Sequence, residues 1–413
     1  MLEGTEEILR WTASRRRQAS GSDPKVRKTV RNIIERVEED RDKALRELAK
    51  ELDGVELKEI VIDVKKDPKW MKDTLYASLQ ESASRIWRLS LAQLPENDVI
   101  LRSKGYDVSV KYYPYNRIGA YVPGGKQGYP STLLMCAIPA RAAGVREVVV
   151  CTPKPTRALL MAAHIAGVRK IYNVGGAQAI AAMAFGTLSV PKVEKIVGPG
   201  NAYVTEAKLA LREKISIDVP AGPSEIVILA DTTSNPEYIA LDLLAQAEHG
   251  PGGMCLCIST SSPMARKVER SISKRMTAAR DIPSWLRSSI ALGVIKELDG
   301  AIEIVNDLAP EHVSVACADA DRVAERITNA GTVCIGRQSA VAFGDYSTGA
   351  NHVLPTGGWA KVRGGLSVLD FIRHVQYIRV TEPEGIAKVG MEIARAEGFR
   401  FHEESMGKRK GRR

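Results

Sequence analysis

The chain has 413 residues, 44% hydrophobic and 26% charged, the balance of a globular protein too long for one core. Its formal net charge of +10 would suit a nucleic acid or a membrane surface. Eight of the positive charges, however, are Arg15, Arg16, Arg17, Lys408, Arg409, Lys410, Arg412 and Arg413, near the two ends, and read as solvated tails. With only 5% aromatics a stacking platform for single strands is not expected either, so the expected partners include no nucleic acid and no membrane.

No apolar run reaches the roughly 18 residues of a bilayer span, and the segment from Met1 to Glu7 lacks an apolar signal region. A cytoplasmic location is expected. The six cysteines, Cys136, Cys151, Cys255, Cys257, Cys317 and Cys334, form no Cys-x-x-Cys pair and read as buried, reduced packing residues.

In chain order, Ser22-Asp23-Pro24 is a polar cap with proline at a first helical position. Val26, Val30, Ile33, Ile34 and Val37 follow at helical spacing, then Ala44, Leu45, Leu48 and Leu52, until Gly54 ends an amphipathic helical pair. A second helical stretch runs from about Trp70 to Leu91, before a strand-like alternation from Val108 to Tyr113. From Arg117 the texture changes to strands of Val and Ile alternating with Ala-rich helices: strand 118–122, helix 131–142, strand 146–151, helix 156–166, strand 170–174. That alternation, which lasts to about Asp218, indicates a parallel sheet of βαβ units. A second α/β region opens at Ile226–Asp231 and continues through helix 235–248, strand 254–259, helix 262–279, strand 289–294 and strand 330–336. Residues 344–365 are glycine-rich and read as a loop over a site. A last helix, Glu384 to Glu397, is too small to fold alone.

Three segments between Val174 and Glu225 draw most attention: Val-Gly-Gly-Ala-Gln-Ala-Ile at 174–180, Val-Gly-Pro-Gly-Asn-Ala-Tyr-Val at 197–204 and Val-Pro-Ala-Gly-Pro-Ser-Glu at 219–225. A strand that turns through glycine into a helix exposes free N–H groups and the positive end of a helix dipole, which suits a phosphate. Tyr203 stands where the dinucleotide fingerprint has its third glycine, so composition alone supports only an α/β enzyme with a phosphate-friendly crevice.

Among the six histidines, four sit in informative company. Gln246 and His249 are three apart at a helix end and share a face; Asp345 and His352 lie in the glycine-rich loop; Glu311 precedes His312; His402 follows the last helix. Imidazoles, a carboxylate and an amide oxygen suit zinc better than magnesium, which points to a metal-dependent dehydrogenase or hydrolase.

At these residues the chain resembles histidinol dehydrogenase over nearly its whole length. The shared motifs include Tyr-Val-Pro-Gly-Gly at 121–125, Gly-Gly-Ala-Gln-Ala-Ile-Ala-Ala at 175–182, Gly-Pro-Gly-Asn-Ala-Tyr-Val-Thr-Glu-Ala-Lys at 198–208 and Ala-Gly-Pro-Ser-Glu at 221–225. Gln-Ala-Glu-His-Gly at 246–250, Ala-Pro-Glu-His at 309–312 and Asn-His-Val-Leu-Pro-Thr at 351–356 follow in order.

The resemblance implies oxidation of L-histidinol to L-histidine through the aldehyde with two NAD. It implies one zinc per subunit, held by Gln246, His249, Asp345 and the partner subunit's His402. His312 would act as proton acceptor and Glu311 as activator of water. Ser224, Gln246, His249, His312, Asp345, His352, Glu397 and His402 would hold the substrate, and Tyr121, Gln178 and Asn201 the NAD.

The implied fold is two Rossmann-like α/β/α domains with small N- and C-terminal helical extensions in a domain-exchanged homodimer. Its expected parts are an N-terminal arm 1–21, a discontinuous domain 22–118 with 226–370, an NAD-binding domain 119–225 and an extension 371–413. A paralogous zinc and NAD dehydrogenase of another small polar alcohol is the alternative. A basic nucleic-acid-binding protein with an idle dehydrogenase fold is a more distant one.

Overall fold

The computed structural model describes residues 1–19, 23–65, 67–125, 128–220, 222–279 and 282–410. Two six-stranded sheets, each with helices on both faces, form two lobes. The first-lobe sheet runs in the order Val61–Asp63, Lys170–Tyr172, Glu147–Cys151, Arg117–Tyr121, Lys195–Val197, Ser216–Ile217, parallel except for its first edge strand. The second-lobe sheet runs Leu2–Glu3, Ile290–Val294, Met254–Ser259, Glu225–Ala230, His312–Val315, Thr332–Ile335, all parallel. Its central strands, Glu225–Ala230 and Met254–Ser259, are buried along their whole length, which is why they read as unbroken apolar runs rather than alternating ones.

Local chemistry explains the helix boundaries. The Asp23 carboxylate accepts from the Lys25 N–H at 2.8 Å, one residue ahead of Pro24 at the start of Pro24–Asp40. Gly54 closes Asp42–Asp53 in the left-handed conformation at φ 62°. The six cysteines are free and buried, as expected of packing residues.

The expected grouping of 22–118 with 226–370 needs correction. Strand Val61–Asp63 pairs with Lys170–Tyr172 of the first lobe. The buried face of Pro24–Asp40 (Val30, Ile33, Ile34, Val37) packs on Gly176–Phe185 and Ala202–Leu211, and Thr74–Gln93 packs on Pro130–Ala142. These helices cover the first sheet's two faces, whose apolar surface they are built to bury. The rest of 22–118 splits again: Val99–Ser103 and Tyr106–Pro114 join Ile372–Val380 in a separate antiparallel sheet.

The N-terminal segment is likewise no solvated arm. Leu2–Glu3 adds an edge strand to the second sheet, and helix Gly4–Ala19 buries Ile8 completely. Arg16 lies in that helix, half-buried. At the other end, the residues after Phe399 continue as helix Arg400–Arg409, packed on Pro383–Ala396, so His402 sits within a helix rather than past one. Residues 411–413, including Arg412 and Arg413, lie outside the described residues. No helix among the described residues is long and apolar enough to cross a membrane.

Candidate active site

The first lobe's chain steps from its central strand Arg117–Tyr121 to one side, then returns to place Lys195–Val197 on the other. Ligand crevices of open α/β sheets form at such a reversal, past the carboxyl ends of the strands. Tyr121 ends the first of these strands, and Gly198-Pro199-Gly200-Asn201 follows the second. The Tyr121 hydroxyl accepts from the Gly176 N–H at 3.1 Å, and burial pushes its pKa up to about 12, so it stays a neutral phenol. Asn201 caps helix Ala202–Leu211, its Oδ1 accepting from the Tyr203 and Val204 N–H groups at 3.1 Å each. The Gln178 amide nitrogen donates to Asp53 at 3.5 Å, while its Oε1 is buried with no partner. A buried polar atom without a protein partner is costly and leaves an acceptor that a water or a ligand can satisfy. The three residues expected to hold NAD therefore sit around one crevice.

The second lobe brings its chemistry to the opposite, amino ends of its strands. Helix Leu298–Leu308 ends at Ala309, a non-glycine at φ 45°, and the chain turns there into Glu311 and His312 at the start of strand His312–Val315. Glu225 opens the adjacent strand, and its N–H donates to the Glu311 carboxylate at 2.8 Å. The Gln246 amide nitrogen lies 3.4 Å from both Glu311 Oε2 and His312 Nδ1. That leaves the amide oxygen as the donor available to a cation.

His312 is buried between two carboxylates, with Nδ1 3.6 Å from Glu311 and Nε2 3.6 Å from Asp345. Burial alone would lower its pKa, but the Glu311 charge and the close approach of the Asp345 and Glu311 carboxylates outweigh it and push it up to about 10. Asp345 responds in the opposite sense. Burial raises it, but the His312 hydrogen bond and the His312, His352 and His249 charges hold it below the usual carboxylate range.

His352 ties this cluster to the first lobe. Its Nδ1 donates to the Asp345 carbonyl at 2.9 Å, which leaves Nε2 to accept from the Thr132 hydroxyl at 3.1 Å. Burial holds its pKa below the ordinary imidazole range, consistent with that neutral form. A substrate group at His352 would thus displace Thr132, on helix Pro130–Ala142, from the ring.

Gln246, Glu311, His312, Asp345 and His352 are therefore gathered in one place. Ser224 lies beside them, next to Glu225, and His249 follows Gln246 by less than a helical turn. Glu397 and His402 are not gathered. Both are exposed on the C-terminal helices, and the His402 ring packs against Phe399 at 5.2 Å. Among the described residues, no three His, Cys, Asp or Glu groups form a metal cage.

Sequence reasoning assigned no part in the site to Arg16, Glu225 or Thr132. The Arg16 guanidinium meets the buried Glu225 carboxylate at 3.4 Å and also bonds the Leu308 carbonyl. It looked like one of three solvated charges because nothing local reveals a partner 209 residues away.

Fold and site together define a class: a two-lobed α/β protein with a strand-order reversal at the carboxyl ends of one lobe's sheet and a buried Glu–His pair at the amino ends of the other's. The histidinol dehydrogenase family model matches residues 15–410. The chain belongs to that family, whose members are NAD-dependent oxidoreductases of histidine biosynthesis. Similar to it is a histidinol dehydrogenase of Archaeoglobus fulgidus, 41% identical over 415 residues, spanning 98% of this chain and 99% of its own. One from Natronomonas pharaonis is 40% identical over 396 residues, 93% of each. The crystal structure of histidinol dehydrogenase from Elizabethkingia anophelis superposes with a TM-score of 0.85 at 33% identity, covering 92% of this chain and 91% of that one.

Proposed function

We propose that this chain oxidises L-histidinol to L-histidine in two successive hydride transfers to NAD. The observation that carries the reading is the buried Glu311–His312 pair, fixed by Glu225 and Gln246 beside Asp345. In the first step His312 takes the alcohol proton as hydride leaves the carbinol carbon for one NAD. Glu311 then accepts a proton from water attacking the aldehyde while His312 returns its proton to the carbonyl oxygen, giving the hydrate. Loss of a second hydride to a second NAD, with a proton, gives the carboxylic acid.

Zinc fits the donor set of Gln246, His249 and Asp345, an amide oxygen, an imidazole and a carboxylate held at its ordinary charge. When bound, it would grip the substrate's imidazole and amine and offset the Asp345 charge, which together with the larger effect of Glu311 favours a protonated His312. Ser224 and His352 hold the substrate from the chain itself, and Tyr121, Gln178 and Asn201 the NAD.

The fourth zinc donor, His402, and the substrate-binding Glu397 belong to a partner subunit in a domain-exchanged homodimer. Supporting this, both are exposed, and the C-terminal region carries uncovered apolar side chains at Ile378, Val389, Ile393, Phe399 and Phe401. A biosynthetic reaction on a small soluble substrate supports a cytoplasmic reading.

The test counts NADH formed per L-histidinol consumed, with and without a chelator. Two per substrate, abolished by chelation and restored by zinc, is the expected result. One per substrate with the aldehyde left over would remove the assigned role of Glu311. No NADH from histidinol, with turnover of another small polar alcohol, would favour the paralogous dehydrogenase.

A further inference from the structure

Beneath the crevice, two ionised side chains meet in the core of the first lobe. Lys208, on helix Ala202–Leu211, and Asp218, just past the edge strand Ser216–Ile217, form an ion pair and are 2% and 5% exposed. Each also bonds one side of the same residue. The Gly198 N–H donates to Asp218 Oδ2 at 2.7 Å, and Lys208 Nζ donates to the Gly198 carbonyl at 2.9 Å.

Gly198 needs that restraint. Its φ is 112°, a backbone conformation favoured only by glycine, and an added Cβ would lie 2.1 Å from the Tyr121 carbonyl. The turn is thus pressed against the end of the central strand and held there from both of its peptide faces. Asn201 lies three residues past Gly198, and helix Ala202–Leu211 begins at the fourth. Burying two charges is expensive, and a pair of apolar side chains would fill the same space at least as stably. The pair is better explained by what it fixes than by what it contributes to folding.

We infer that Lys208 and Asp218 are positioning residues for the dinucleotide: they lock the Gly198–Asn201 turn in the conformation that presents the Gly200 and Asn201 N–H groups to the cofactor's phosphates. Neither side chain touches the cofactor. The inference rests on the reading of this crevice as the NAD site.

The test measures the KM for NAD, the KM for L-histidinol, kcat and direct NADH binding for Lys208→Met, Asp218→Asn and the double variant Lys208→Met with Asp218→Leu. Thermal unfolding is measured on each. The double variant removes both members of the pair together and leaves Lys195 its partner Asp370, so it keeps the question answerable if the single variants do not fold. The expected outcome is a rise in the KM for NAD and in the NADH dissociation constant of about tenfold to a hundredfold. The KM for histidinol stays near that of the unchanged protein, and Lys208→Arg recovers part of the loss. A folded double variant that binds NADH as tightly as the unchanged protein overturns the inference. Failure of the unchanged protein itself to bind NADH would instead overturn the assignment of the crevice.

Discussion

In the first lobe the chain steps outward from its central strand Arg117–Tyr121 through 147–151 to 170–172, then crosses back to 195–197 and 216–217. In the second it steps from Glu225–Ala230 through 254–259 to 290–294, then back to 312–315 and 332–335. The same path thus creates the same reversal in both lobes, yet the residues that follow the strands at the carboxyl ends differ. In the first, Gly198 follows the returning strand, and the unpartnered Gln178 oxygen faces no protein donor. In the second, Ala316 stands where Gly198 does, and its carbonyl accepts from Ser234 at 2.9 Å. Asp231 accepts from Thr233 and from the Ala318 N–H, and Arg337 donates to the Thr233 carbonyl. The second lobe instead carries Glu225, Glu311 and His312 at its amino ends. A shared topology fixes where a crevice can form; the side chains at the strand ends decide whether one does.

The largest effect that sharpens this contrast belongs to the amino-end pair. Glu311→Gln or His312→Asn should lower kcat for histidinol by about 10²–10⁴-fold, measured as NADH formation, with folding retained by circular dichroism. Next comes complementation between subunits. Two inactive variants, Glu311→Gln and His402→Ala, mixed in equal amounts after reversible dissociation, should recover about a quarter of full activity, because half the dimers then carry one intact site. No recovery would mean that each chain builds its site alone.

The glycine comparison is smaller. Gly198→Ala should raise the KM for NAD by at least about tenfold, since its Cβ meets backbone. Gly336→Ala, at φ 86° but in open space past a second-lobe strand, should cost about 1–2 kcal/mol in denaturant unfolding and leave the KM for NAD unchanged.

The smallest effect concerns acid. Burial raises the Asp231 pKa, but its hydrogen bonds from Thr233 and Ala318 hold it below the usual carboxylate range. A carboxylate depressed in the folded state stabilises above its unfolded pKa and loses that contribution as pH falls through the folded value. Unfolding followed from neutral pH down to about pH 3 should therefore show a shallower acid loss for Asp231→Asn than for the unchanged protein.

Much of this was legible in the sequence. The alternation from Arg117 onward announced the parallel sheet, and the glycine turns at 175–176 and 198–200 join strands to helices, as expected. Glu311, His312, Gln246 and Asp345 converge because each sits next to a motif that carries its own punctuation. What escaped was non-local. The pairing of Val61–Asp63 with Lys170–Tyr172 depends on contacts over a hundred residues apart, and a three-residue strand has no periodicity to read. Helix Leu298–Leu308 could have been found from Leu298, Ala301, Ile302, Val305 and Leu308 at helical spacing. Arg16 could not, because a run of three arginines looks the same whether or not one of them meets a buried carboxylate.

The division of labour between the lobes is tested most directly by titrating NADH into the unchanged protein, His312→Asn and Gly198→Ala, and following its fluorescence. If the first lobe's carboxyl ends hold the cofactor and the second lobe's amino ends move protons, His312→Asn binds NADH as the unchanged protein does, although it is inactive, while Gly198→Ala binds it weakly. Weak binding by His312→Asn together with undiminished binding by folded Gly198→Ala would place the cofactor in the wrong lobe.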